Sequence, residues 1–250
     1  MKTSISKTVA QAPIPVFATH PHTHAPLLYT LIKVSAIWGF ANLGYFVLFP
    51  LFHIPLSYNT APEAIALYFF GWFIASVYLC WDVLEEWLPE KSFAWRYGAQ
   101  AIASAIIIWF AIYEFSALPI PAGKKLIPYS DLLFATPWYF FPKSIEILVQ
   151  QVLITTMVLS FARYYKSLST VMLNYAFFFG GGHVVLFASS SAPTPYALMM
   201  TFTALLSTFI APYMVLRVRG GVLINYVLHI LVYIIIASTL HTWPPPDYVI

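Results

Sequence analysis

Residues 221–240, GVLINYVLHILVYIIIASTL, run for 20 positions without an Asp, Glu, Lys or Arg. As a helix they would reach about 30 Å at ~1.5 Å per residue, the thickness of a bilayer's hydrocarbon core. In lipid a spanning segment must satisfy its own backbone hydrogen bonds, which restricts it to a helix or a closed barrel. Long apolar runs recur along the chain and predict spans at residues 28–52, 63–84, 97–117, 138–162, 170–189, 196–216 and 221–240. Between them lie the breakers HIPLSYNTAP, EEWLPEKS, LPIPAGKKLIPYSD, SSSAPTP and RVRGG. One such run fits a buried helix of a soluble protein, but seven do not. The 250 residues are 60% hydrophobic and 8% charged, where soluble domains carry about a quarter charged residues. The fold expected is all-α, a polytopic transmembrane bundle of about seven spans.

The ends differ from this pattern. Residues 1–27 lack the apolar core of a secretory signal and read as a solvated tail, in which His20, His22 and His24 alternate. Residues 241–250 form a short Pro-stiffened tail. No internal repeat is evident, so residues 28–240 are treated as one helical membrane domain in contact with the lipid bilayer. Cys80 is the single cysteine and sits in an apolar run, so no disulfide can form within the chain. The net charge of +3 is too small and too scattered for nucleic acid. Its placement carries more information. Lys2, Lys7, Lys91, Arg96, Arg163, Lys166, Arg217 and Arg219 fall on one side of the expected topology, Lys124 and Lys125 on the other. That asymmetry predicts a cytoplasmic N-terminus.

Ionisable groups at membrane depth are costly and mark candidate sites. Four stand out: Lys143, Glu146, His183 and His229. Lys33 and Glu114, nearer the span ends, are expected to snorkel to the interface. In FFPKSIEILVQQVLI a helix would put Lys143, Glu146 and Gln150 on one face. Two readings of that ridge stand: a buried Lys143–Glu146 ion pair, or a Glu146 general base raised in pKa by desolvation, with Lys143 opposing the rise. His183 follows three glycines in FFFGGGHVVLF, and small residues there would let a neighbouring helix come close. His229 lies centrally in the last run with Asn225 one turn before it on the same face. Glu85 and Glu86 are adjacent too, but belong to a charged loop with interfacial Trp87 and Trp95.

A span with a buried glutamate, a span with Phe-x-x-x-His, then a glycine-linked pair of spans with a central histidine resembles the CPBP family of intramembrane proteases. That family includes the prenyl-protein (CAAX) endopeptidases and bacteriocin-processing or self-immunity proteins. The likeness covers residues 138–240. Glu146 matches the first glutamate of the family's Glu-Glu-x-x-x-Arg motif, with Ile147 in place of the second and Gln151 in place of the arginine. Phe179 and His183 match Phe-x-x-x-His, and His229 matches the last histidine, with Tyr233 where Asn or Asp is usual. The resemblance implies an intramembrane peptidase in which Glu146 and His183 activate a water and His229 stabilises the oxyanion, Asn225 standing in for the missing amide. Its substrate would be a membrane-delivered peptide or protein. The paired loss of charge at positions 147 and 151 equally fits an inactive descendant, a non-catalytic subunit or transporter-like scaffold binding a partner helix, lipid or ion. No cofactor is required by this reading, although one carboxylate and two imidazoles are also a zinc donor set.

Overall fold

The computed structural model describes residues 27–85, 102, 105–114, 130–133, 135–188 and 194–242. Both tails, including His20, His22 and His24, most of the Glu85–Arg96 loop, and Lys124 and Lys125 lie outside them. Every regular element among the described residues is helical. Helix α1 comprises Leu27–Leu43, a π-helical turn at Gly44–Leu48, and Phe49–Leu51. Helix α2 is Pro62–Leu79 and α3 is Ala105–Glu114. Helix α4, Phe140–Tyr164, is entered through a 3-10 turn at Pro137–Tyr139. Helix α5 consists of Leu168–Tyr175, a second π-helical turn at Ala176–Gly180, and Gly181–Ala188. Helices α6 and α7 are Thr194–Arg217 and Gly221–Thr242.

Six of these, all but α3, are long and apolar enough to cross a membrane. The chain is a multi-pass membrane protein. Of the span expected at 97–117 the described residues include the helix α3, and its flanks lie largely outside them. The span expected at 63–84 is also shorter than its apolar run. At Cys80 the backbone leaves helical geometry (φ −100°, ψ 7°), and Trp81–Leu84 forms a separate short helix.

Helix α4 is the axis of the bundle. Of its span 67% is buried, against 17 to 39% for the other five, and it packs against α1, α2, α5, α6 and α7. The outer helices turn large apolar side chains outward, among them Leu67, Tyr78 and Phe177. That is the arrangement lipid allows, since an apolar surface there carries no hydration penalty. Local sequence sets the ends. Pro62 opens α2, where its missing N–H costs nothing, and Glu63 in the first turn complements the helix dipole. Residues 165–167 leave helical geometry, with Tyr165 extended (φ −116°, ψ 120°), so α5 folds back along α4. Phe161 meets Phe178 across that hairpin, their rings 5.8 Å apart.

Glycines permit three close approaches, one of them at Gly221, where a Cβ would collide with the Met214 carbonyl. A Cβ on Gly44 would collide with the Tyr68 hydroxyl, which donates to the Ala41 carbonyl at 2.7 Å and so ties α2 to α1 beside its π turn. A Cβ on Gly180 would lie 3.1 Å from Leu205 and Thr208 of α6, whereas Gly181 and Gly182 face open space. Only the first of the three glycines before His183 therefore serves helix contact. Lys33, expected to snorkel, instead pairs with Asp82 at 2.8 Å. Arg163 donates to the Asp82 carbonyl, pinning the end of α4 to the short helix.

Candidate functional site

Helical spacing brings Lys143, Glu146 and Gln150 onto one face of α4, and the packing of α4 at the bundle axis buries that face. Lys143 is 8% exposed and Glu146 9%. The Lys143 ammonium donates to Glu146 Oε2 at 2.7 Å, and Gln150 Nε2 donates to Oε1 at 2.8 Å. A third donor comes from outside the helix: the Tyr58 hydroxyl, in the loop between α1 and α2, reaches Oε2 at 2.5 Å. Both carboxylate oxygens are therefore engaged. The ammonium also lies over the Tyr233 ring, 4.1 Å from its centroid, and 5.5 Å from that of Tyr58. A cation so placed gains from the ring quadrupole and has no need of water on that side.

Tyr233 leads to the second half of the site. Its ring stacks on His229 one turn earlier in α7, with centroids 5.6 Å apart. His229 Nδ1 meets Gln151 Nε2 of α4 at 3.1 Å, and Gln151 Oε1 accepts from Asn225 Nδ2 at 2.7 Å. With Gln151 Oε1 taken up by Asn225, its amide N–H faces the ring. Nδ1 is then the acceptor and the ring proton sits on Nε2. Gln151 links α4 to α7 without a charge. Ile147 is 1% exposed and part of the apolar core.

His183 makes a bond within its own helix. Its Nδ1 pairs with the Phe179 carbonyl of its own helix at 2.8 Å, and the rings of Phe179 and His183 lie 4.4 Å apart. The Phe-x-x-x-His spacing is thus an intrahelical contact. The Gly181–Ala188 half of α5 packs chiefly on α6. Depth is shared nonetheless. Glu146 lies 18 residues before the end of α4 and His183 lies 15 after the start of α5. At ~1.5 Å per residue their levels in this antiparallel pair differ by about 4.5 Å. Among the described residues no three His, Cys, Asp or Glu side chains are grouped as metal ligands, so the zinc set considered from sequence is not assembled.

The residue that sequence reasoning missed is Tyr58. It sits in HIPLSYNTAP, which reads as a chain breaker, yet it is only 4% exposed. Burial and the adjacent Glu146 carboxylate push its phenol well above the ordinary range, so it stays a donor. Its ring is held edge-on to Tyr45 at 5.1 Å and near Tyr139 at 5.2 Å. No sequence signal separates this tyrosine from the other 16.

Fold and site together define a multi-pass helical membrane protein with a buried, ion-paired polar core. Comparison with known proteins finds no matching family model, curated protein or solved structure.

Proposed function

We propose that this polar core is a peptide-hydrolysing site of the CPBP type, set in a membrane protein whose N-terminus is cytoplasmic, and acting on a membrane-delivered peptide or protein. The observation that carries the reading is the network itself. Glu146 and His229, on separate helices and 83 positions apart, are linked through Lys143, Tyr233 and Gln151 in one buried cluster. Glu146 and His183 would polarise a water against the peptide carbonyl, and His229, with Nε2–H as donor, would steady the developing oxyanion. For Glu146 to act as a base, the Lys143 ammonium must first leave Oε2. The test is cleavage of membrane-anchored and free fluorogenic peptides by the purified protein in proteoliposomes. Turnover is expected to fall at least about 100-fold in Glu146→Gln, with helicity unchanged. Unaltered cleavage in that variant would remove Glu146 from the mechanism.

A second reading rests on the engagement of both Glu146 oxygens by donors from its surroundings. A carboxylate with three donors, one of them the ammonium of its ion pair, is a satisfied structural group, which suits a non-catalytic subunit or transporter-like scaffold binding a partner helix, lipid or ion. That reading expects no peptide turnover, and copurification with a fixed membrane partner that Glu146→Gln leaves in place.

A further inference from the structure

The α1–α2 loop touches the rest of the protein through two consecutive side chains that point to different targets. Tyr58 donates to Glu146 Oε2 at 2.5 Å. Asn59 bridges the segment that feeds α4: its Nδ2 donates to the Asp131 carbonyl at 2.9 Å, and its Oδ1 accepts from the Thr136 backbone N–H at 2.7 Å. A second strut fixes the same segment to α1, where the Tyr45 hydroxyl donates to Asp131 Oδ2 at 2.7 Å. Tyr45 belongs to the π turn of α1 and its ring abuts that of Tyr58. π turns inside α-helices are frequent at functional sites because they re-aim side chains.

These contacts form one line, Tyr45 to Asp131 to Asn59 to Tyr58 to Glu146. An ordinary connecting loop would leave its polar groups to water. Here the loop instead spends an amide and a phenol inside the protein, one on the backbone that enters α4 and the other on the carboxylate six residues into that helix. The Tyr58 ring is enclosed by Tyr45, Phe69 and Tyr139, so the hydroxyl has little freedom to point elsewhere.

We propose that Tyr58 and Asn59 form a clasp, in which Asn59 fixes the loop to the entry of α4 and Tyr58 thereby holds Glu146 Oε2 against Lys143. Tyr58 is a positioning residue, and the loop regulates the site: displacing it removes one donor from Oε2 and leaves Lys143 and Gln150 as the remaining partners. This inference rests on taking the Glu146 cluster as the functional site.

The clasp is tested on the full-length protein in bilayers by the 13C resonance of the Glu146 side-chain carboxylate, identified by its loss in Glu146→Gln. Tyr58→Phe keeps the ring and deletes only the hydroxyl, and is expected to shift that resonance. Asn59→Ala leaves Tyr58 intact but cuts its anchor, and is expected to shift the resonance in the same direction. The double variant should move it no further than Tyr58→Phe alone. Should Asn59→Ala fail to fold, Thr136→Pro deletes the same N–H at a backbone φ of −80° that proline accepts. A Glu146 resonance left in place by Tyr58→Phe overturns the proposal, as does one left in place by the anchor variant. Peptide turnover plays no part in this measurement, so the clasp and the hydrolytic reading can fail separately.

Discussion

Breaking the Lys143–Glu146 pair from one side should cost far more than removing both charges together. Lys143→Met leaves Glu146 buried at 9% exposure with only Tyr58 and Gln150 as donors. Stranding one partner of a buried pair costs about 3–5 kcal/mol. Glu146→Gln strands the ammonium instead, but Tyr233 lies beneath it at 4.1 Å. A desolvated cation–π contact recovers up to about 2 kcal/mol, so this variant should lose about 1–3 kcal/mol. In Lys143→Met/Glu146→Gln the methionine stem still covers the Tyr233 ring, and the glutamine can still accept from Tyr58. With no charge left unpaired, the double variant should lie within about 2 kcal/mol of the parent. The cycle then yields a coupling of at least about 2 kcal/mol, measured by reversible unfolding in bicelles. Losses that add to within about 0.5 kcal/mol, as they do for independent sites, would refute the claim that the two charges hold one another.

Two further outcomes follow from the packing. Gly180→Ala forces Leu205 and Thr208 apart and should cost about 1–3 kcal/mol, while Gly182→Ala meets open space and should be neutral or stabilise by up to about 1 kcal/mol. The same unfolding assay reads both, and equal effects would contradict the asymmetry. Gln151→Leu removes two interhelical hydrogen bonds and should cost about 2–4 kcal/mol, from ~0.6 kcal/mol for each bond and about 1–3 kcal/mol for the unpaired Asn225. Its effect should vanish in an Asn225→Leu, His229→Leu background, where a persisting loss would place the role of Gln151 elsewhere.

Much of the site was legible because helical spacing is a local property. Lys143, Glu146 and Gln150 fall on one face at any tertiary arrangement, and Asn225 and Tyr233 flank His229 by the same rule. The partner each side chain would choose was not legible. His183 bonds its own helix, Lys33 meets Asp82, and the imidazole of His229 faces the Gln151 amide. Such choices depend on how helices rotate and approach, which one chain read in order does not specify.

By itself the sequence determined that the chain crosses a membrane several times as helices, because lipid admits only helices and closed barrels, and apolar runs as long as 221–240 are about twice the length of a barrel strand. It also determined which polar groups go in with them. The tertiary structure decided that α4 lies at the centre and that Glu146 rests closed against Lys143. It also decided that a tyrosine from a loop, 88 positions earlier, completes the cluster. The reason is physical: a buried charge is stabilised by whichever donors packing brings within about 3 Å, and that proximity is set between helices, not along one.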